Sequence, residues 1–239
     1  EQIGESHICI TGSDVNHIKN VLRMKPGEQV LISNGEDRDY LCRLTEISAD
    51  AVEAEILEER EETTELPAKI WLFQGLPKSD KMELIIQKAV ELGAYQIVPV
   101  ATKRAVVKLD KKKEEAKLKR WNAISESAAK QSKRLIIPEI APVMSFDEAL
   151  AFVKDFDSRC IPYECASGMD SVRQFVSQTG PGQKIAVFIG PEGGFEEIEI
   201  EKAREAGVVP VSLGKRILRT ETAGLALLSV LAFHLEGGL

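Results

Sequence analysis

Several common residue patterns are missing from this chain of 239 residues. It has no run of about 18 apolar residues, so no membrane-spanning helix is predicted. The four cysteines form no C-x-x-C pair and the three histidines lie far apart, so neither a disulfide framework nor a metal site is expected. The opening residues lack the basic and apolar regions of a signal peptide, and their abrupt start suggests that part of the natural N-terminus is missing. These absences predict a cytoplasmic protein with reduced thiols.

The chain also lacks an excess of positive charge, because the net charge is -7 and the sequence pI is about 5.2. Taken alone, this acidity argues against nucleic acid as a partner. Residues 103–134, however, contain twelve Lys or Arg and four Asp or Glu, whereas residues 1–66 contain six and sixteen. The basic stretch is either a surface that binds phosphates or the solvated face of a Lys-rich helix, and its charge alone favours the solvated face.

The first 66 residues are predicted to form a small β-barrel domain with one helix. Alternating strands, joined by turns such as Asn34-Gly35, accompany a helix over Asp14 to Met24 with Ser13 as its N-cap. The helix face expected to be buried comprises Val15, Ile18, Val21 and Leu22. The acidic stretch Glu58 to Leu66 lacks apolar periodicity and is interpreted as the linker, so the second domain covers residues 67–239.

Strands and helices alternate in residues 67–239, which predicts an α/β domain with a largely parallel sheet and ligand-binding loops at the strand C-termini. Helices are predicted over Lys78 to Leu92, Glu114 to Lys133, Glu196 to Ala206 and about Thr220 to Leu235. The last helix is apolar on nearly every face. It is therefore expected to be buried, either against a partner subunit or at the centre of the monomer.

Two loops of this domain have a composition that favours ligand binding. Gly190 to Gly194 follow an apolar strand, and glycines let a backbone approach a ligand closely, although a tight connection has the same appearance. Leu213 to Ala223 lead into the last helix, for which Thr220 or Thr222 is the expected cap. Neither loop has the G-x-G-x-x-G or the P-loop fingerprint, which argues against a nucleotide-dependent enzyme on a doubly wound fold. Polar candidates for ligand contact are Lys215, Arg216 and Arg219, together with Gln74 and Lys78 beyond an earlier strand.

The chain resembles the RsmE family of ribosomal RNA small-subunit (uracil-N3) methyltransferases, in the SPOUT superfamily. The resemblance covers essentially the whole chain, and its most specific segments are QGLPKSDKMELIIQKAVELGA, FIGPEGGFEEIE and LGKRILRTETAGL. It implies a PUA-like β-barrel followed by an α/β domain with a trefoil knot, a homodimer, and S-adenosylmethionine as cofactor. Members usually open with a further short strand, and its absence here predicts an incomplete barrel.

The same resemblance implies which residues bind the cofactor. They lie in three loops that the knot brings together, and they are Glu164, Cys165, Ala166, Ile189, Gly190, Pro191, Glu192, Gly193, Gly194, Leu213, Gly214, Ile217, Leu218, Thr222 and Ala223. Arg219 is a candidate for the cation that stabilises charge on the uracil, and Glu221 for the base that takes the N3 proton. The alternatives are a structural ion pair for Arg219 and a helix-start carboxylate for Glu221.

RNA is the implied partner, as free 16S ribosomal RNA or as the assembled small subunit. Residues expected to contact its phosphates are Lys19, Arg23, Lys78, Arg104, Lys133 and Arg134. Many members carry two adjacent histidines where this chain has Asn16-His17, so His17 receives little weight as an RNA ligand. The predicted reaction is methyl transfer to N3 of a uridine in this RNA. A non-catalytic RNA-binding protein of the same fold is the alternative.

Overall fold

The structure is a computed structural model that describes residues 3–4, 6–34, 38–60, 64–107, 109–164 and 168–238. The chain divides into two compact units. The first unit comprises Glu1–Glu65 and Lys133–Ile136, and the second comprises Leu66–Ser132 and Ile137–Leu239. The predicted turn at Asn34-Gly35 lies partly outside the described residues.

A four-stranded antiparallel sheet in the order β1-β4-β3-β2 forms the first unit. Its strands are β1 (His7–Thr11), β2 (Gln29–Ser33), β3 (Asp39–Ile47) and β4 (Ala51–Arg60). Alternate apolar residues of the strands share one core, which includes Ile8, Cys42, Leu44, Val52 and Ala54. Because β4 continues to Arg60 and pairs Glu58 with Leu41, the predicted linker over Glu58 to Leu66 begins too early.

The helix of the first unit differs from the single helix that was predicted. One α-helical turn, α1 (Ser13–Asn16), runs into a π-helical turn at His17–Val21. A π turn bonds residues five apart, and it therefore rotates the following residues away from the face of α1. Ile18 is buried in the same core as Val15 of α1. Val21 and Leu22, in contrast, are 61% and 54% exposed, contrary to the prediction.

A seven-stranded sheet forms the centre of the second unit, and its described strand pairs are parallel, as predicted. The strands are β5 (Lys69–Gly75), β6 (Gln96–Ala101), β7 (Glu139–Ile140), β8 (Met144–Ser145), β9 (Ser158–Pro162), β10 (Lys184–Ile189) and β11 (Val209–Val211). Their order is β11-β9-β10-β5-β6-β7, and β8 also pairs with β6. The C-termini of β11, β9, β10 and β5 are therefore neighbours along one edge.

Helices pack on both faces of this sheet. On one face lie α2 (Lys81–Glu91), α3 (Lys111–Gln131), α5 (Asp170–Ser177) and α7 (Thr220–Leu235), and on the other lie α4 (Phe146–Phe152) and α6 (Glu197–Glu205). Ile70 and Leu72 of β5 join the first apolar cluster, while Trp71 and Phe73 join the second. This two-sided burial explains why the strand is apolar throughout. The sequence analysis did not predict α4 and α5.

Three helices begin at other residues than predicted. Helix α2 begins at Lys81 instead of Lys78, because Ser79 has a φ of +56°, outside the helical region. Ser13 is the first residue of α1 rather than its N-cap, which is Gly12. The N-cap of α3, which starts earlier than predicted, is Asp110.

Helix α7 is apolar around most of its circumference, but only part of that surface is buried within the chain. The buried side comprises Gly224, Leu227, Leu228 and Leu231. On the other side, Val230 and Phe233 are 43% and 56% exposed. Among the described residues, no helix has the length and apolar character needed to cross a membrane.

Candidate active site

Three loops of the second unit meet around one cleft of about 450 Å³. They follow β9, β10 and β11, whose C-termini are adjacent because the strands are parallel neighbours. The floor and walls include the Gly190–Phe195 turn, the Ser212–Thr220 loop and Pro162–Glu164. This volume lies in the range of about 300–1,000 Å³ that small-molecule and cofactor pockets occupy.

The glycines of these loops are required by their backbone geometry. Gly214 has a φ of +108°, which an L side chain rarely adopts. At Gly190 a Cβ atom would lie 3.1 Å from Gly194 of the same turn. At Gly75, the last residue of β5, a Cβ atom would lie 2.6 Å from the Pro191 ring, so this strand end touches the glycine-rich turn. The sequence analysis did not identify Gly75, because a single glycine at a strand end carries no distinctive signal.

A buried hydrogen-bond chain joins the start of α7 to the neighbouring strand ends. The Thr220 hydroxyl donates to the Gly190 carbonyl at 2.6 Å and accepts from Gln74 Nε2 at 2.9 Å. Gln74 Nε2 also donates to the Gly75 carbonyl at 2.9 Å. Gln74 is fully buried. It therefore supports the loops, contrary to the prediction that it contacts a ligand. The prediction that a threonine caps α7 is also wrong, because Arg219 occupies the N-cap and makes no side-chain cap bond.

An ion-pair cluster lies beside this hydrogen-bond chain. Lys81 Nζ is 3.1 Å from Glu192 Oε1 and 3.2 Å from Glu221 Oε2. The Lys78 backbone N–H also donates to both carboxylate oxygens of Glu192, at 3.1 and 3.2 Å. Glu221 Oε2 is buried and accepts no hydrogen bond from the described residues, so its contact with Lys81 is an ion pair only.

The charge states of this cluster follow from its contacts. Burial acts to raise the pKa of Glu192, but its own N–H, the Lys81 ammonium and the Lys78 N–H together lower it below 4.5. The backbone N–H of Glu221 lowers the pKa of that carboxyl, burial opposes this, and Lys81 and Arg219 lower it further. Hydrogen bonding to Glu192 raises the pKa of Lys81 above 10.5, despite burial, and Glu221 adds to the increase. All three groups are therefore charged near neutral pH.

The structure brings most of the predicted cofactor residues together. Those that line the cleft are Glu164, Ile189, Gly190, Pro191, Glu192, Gly193, Gly194, Leu213, Gly214, Ile217, Leu218 and Ala223, joined by Arg219. Thr222 is exposed and does not line it, and Glu221 contacts it through Lys81. Cys165 and Ala166 lie outside the described residues. Lys81 also lines the cleft, although the sequence analysis placed it only within the helix predicted over Lys78 to Leu92.

The residues predicted to contact RNA have different surroundings. Arg104 lines the cleft, and its Nη1 donates to the Gly193 carbonyl at 3.0 Å. Lys78 is exposed in the second unit, and the exposed members of the first unit are Lys19, Arg23 and Lys133. Arg134 is a correction to the prediction, because its side chain is only 3% exposed and forms an ion pair with Glu65. A guanidinium held in this way is not available to a phosphate.

The chain matches two protein-family models that together define a class. The RNA methyltransferase domain matches residues 64–232, and the RNA methyltransferase PUA domain matches residues 10–57. The chain is therefore an RNA methyltransferase by family, with a PUA-like domain and a mixed α/β domain that has a parallel sheet. The trefoil knot stays a prediction.

More specific relatives cover nearly the whole chain. Ribosomal RNA small subunit methyltransferase E of Bacillus subtilis is 41% identical over 240 residues, which cover 99% of this chain and 94% of that protein. The Neisseria gonorrhoeae enzyme of the same name, crystallised with S-adenosyl methionine, has a TM-score of 0.83 at 35% identity, over 96% and 92% of the two chains. A putative methyltransferase of Legionella pneumophila, in complex with the cofactor SAM, gives 0.82 at 34% identity over 97% and 93%. The chain belongs to the ribosomal RNA small subunit methyltransferase E family.

Proposed function

We propose that this protein transfers the methyl group of S-adenosylmethionine to N3 of a uridine in 16S ribosomal RNA. The observation that carries the proposal is the pair of charged residues at the start of α7. Arg219 lines the cleft, and Glu221 lies two residues further along the chain, with its Oε2 3.2 Å from the ammonium of Lys81, which also lines the cleft. A cation and a carboxylate, the two groups that proton removal from N3 requires, therefore lie at or beside the cleft.

The lining of the cleft fits S-adenosylmethionine. Ile189, Leu213, Leu218 and Ala223 offer apolar surface for an adenine, and the glycine-rich turn offers backbone polar groups that no Cβ atoms cover. Charged groups of both signs lie in or beside the cleft, as a zwitterionic amino-acid portion requires, and they include Glu164, Glu192, Lys215 and Arg216. When bound, the cofactor supplies an electrophilic methyl group.

The chain's own residues then act on the uracil. Its N3–H is weakly acidic, and the ring becomes negative as that proton leaves. Glu221, ionised near neutral pH, accepts the hydrogen bond from N3–H, and Arg219 stabilises the charge that develops on the ring. Because the pKa of Glu221 is lowered, the carboxylate is a weak base, and alignment of N3 with the methyl group contributes much of the rate.

Single-turnover kinetics on two variants tests these roles. Arg219→Ala should lower the rate of methyl transfer on the order of a hundredfold, the usual effect of removing one well-placed electrostatic donor. Glu221→Gln should abolish most of the transfer while melting temperature and cofactor affinity stay close to wild type. If both variants turn over at the wild-type rate, neither residue is catalytic and their roles are structural.

The position of the methyl group is tested separately. Mass mapping of 16S ribosomal RNA from cells with and without the protein should show one N3-methylated uridine that depends on it. A modification at carbon or at the ribose would contradict the N3 assignment. Methylation of assembled subunits but not of free RNA in vitro would identify the subunit as substrate.

We also propose separate tasks for the two parts of the chain. The PUA-like domain, predicted over residues 1–66, contacts RNA phosphates through Lys19 and Arg23, which are exposed. Residues 67–239 carry the cofactor site and a homodimer interface that covers the exposed side of α7 around Phe233. The protein acts in the cytoplasm, where ribosomal subunits are assembled.

The second candidate is an RNA-binding protein of this fold without catalysis. It predicts that S-adenosylhomocysteine does not bind. The cleft favours the enzyme, because Gly190, Gly194 and Gly214 line a cavity of about 450 Å³, which is large enough for a cofactor. Calorimetric titration of the full chain with this compound separates the two functions, since one site per subunit is expected for the enzyme.

A further inference from the structure

Lys81 forms ion pairs with acidic side chains from two different elements beside the cleft. It lies in the first turn of α2 and reaches Glu192 of the glycine-rich turn at 3.1 Å and Glu221 of α7 at 3.2 Å. These partners are far from Lys81 in the sequence, so the ion pairs join three separate elements. The side chains of all three residues are partly buried, with exposed fractions between 19% and 28%.

Few other charges near these carboxylates can replace Lys81. Glu192 also accepts hydrogen bonds from the Lys78 N–H. The charge of Arg219 also helps to lower the pKa of Glu221. Without Lys81, two carboxylates would remain around the space of one missing ammonium. Like charges in a partly buried place repel each other and favour protonation of one of them.

We propose that Lys81 is a positioning residue that holds the glycine-rich turn and the start of α7 in the arrangement that binds the cofactor. The proposal rests on S-adenosylmethionine as the ligand of the cleft. It gives α2 a part in the site, although this helix follows β5 and none of the three cleft loops. It also explains why Glu192 and Glu221 can lie side by side while both are ionised.

The proposal makes a definite statement about pH. In the wild type the Lys81 ammonium helps to lower the pKa of Glu192 and of Glu221, and these carboxylates raise the pKa of Lys81, so all three groups keep their charges between pH 5.5 and 8. In Lys81→Met the repulsion raises the pKa of at least one carboxyl. Protonation at the lower end of this range then relieves the repulsion, and cofactor affinity should recover as the pH falls.

The experiment is calorimetric titration with S-adenosylhomocysteine from pH 5.5 to 8. This probe lacks the sulfonium charge, so it reports the shape of the site more than its net charge. Lys81→Met should bind about tenfold more weakly at pH 8, equivalent to about 1.4 kcal/mol, and the loss should shrink toward pH 5.5. Lys81→Arg should restore most of the affinity and the flat pH profile.

Lys88→Met is the matched control. Lys88 lies in the same helix and forms an ion pair with Glu91 at 2.8 Å, but it does not line the cleft. This variant should bind like the wild type at every pH. If Lys81→Met is poorly folded, the double variant Lys81→Met with Glu192→Gln provides the test, because removal of the repulsion should restore folding and remove the pH dependence.

The outcomes separate this proposal from the proposed function. Lys81→Met that binds within about twofold of the wild type at pH 8, or that keeps a flat pH profile with weaker binding, would overturn the role of Lys81 alone. A wild-type chain that does not bind the probe would overturn the proposed cofactor, and the role of Lys81 with it.

Discussion

The Thr220 hydroxyl offers a stringent test of how the cleft is held together. It is buried, donates to the Gly190 carbonyl at 2.6 Å and accepts from Gln74 Nε2 at 2.9 Å. Thr220→Val preserves the shape of the side chain and removes both hydrogen bonds. The Gly190 carbonyl then loses this donor, and Gln74 keeps only its bond to the Gly75 carbonyl.

The expected cost follows from these two lost partners. Loss of the donor to the buried Gly190 carbonyl costs about 1–3 kcal/mol, and loss of one of the two bonds of Gln74 costs about 0.5–1.5 kcal/mol, so Thr220→Val should destabilise the second unit by roughly 1.5–4.5 kcal/mol. For a unit of this size, that loss corresponds to roughly 3–18 °C in melting temperature. Cofactor affinity should fall as well, because the Gly190 turn loses its tie to α7.

Fluorescence-detected urea unfolding is the suitable assay, because the two tryptophans of the chain, Trp71 and Trp121, both lie in the second unit. The signal therefore reports this unit even if the two units unfold separately. Thr222→Val is the control, since Thr222 lies in the same helix turn and is exposed; its effect should stay within about 0.5 kcal/mol. Equal stability and equal cofactor affinity of the two variants would refute the reasoning.

Two further predictions each compare a substitution at a buried residue with a substitution at an exposed one. Leu228→Asp places a charge in the core and should prevent folding. Phe233→Asp lies on the exposed side of α7 and should give a folded monomer, as measured by sedimentation. A wild-type chain that is a folded monomer at micromolar concentration would contradict the dimer. Arg134→Ala leaves Glu65 buried without its cation and should cost about 3–5 kcal/mol in the first unit, while Lys133→Ala should leave stability unchanged and weaken RNA binding. Equal melting curves would contradict this contrast.

The sequence predicted features that depend on local chemistry. A parallel sheet followed from alternating strands and helices, and the two cleft loops followed from their glycines and from the cations before α7. Gly214, with its φ of +108°, shows why composition was informative, because glycine adopts such a backbone conformation far more readily than other residues. Strand β5 lacks alternation because it is buried on both faces.

The errors concern contacts that a sequence does not display. Charge alone made Arg134 an RNA ligand, although Glu65, its distant ion-pair partner, removes it from the surface. The helical period of 3.6 residues placed Val21 and Leu22 in the core, but a π turn shifts them into solvent. The sequence analysis did not identify Lys81, because its ion-pair partners, like that of Arg134, are distant in the sequence.

These contacts also explain why stability and cofactor binding are linked in the second unit. Thr220 and Lys81 connect the cleft loops to β5 and α2, and both of these elements belong to the apolar core on the α7 side of the sheet. A ligand that binds only the folded unit stabilises it by about 2.7 kcal/mol at a hundred times its Kd. The loops therefore gain order from the core, and the core gains stability from an occupied cleft. A site assembled from such distant segments depends on the whole unit being folded, and single glycines and single ion pairs are therefore expected to influence it strongly.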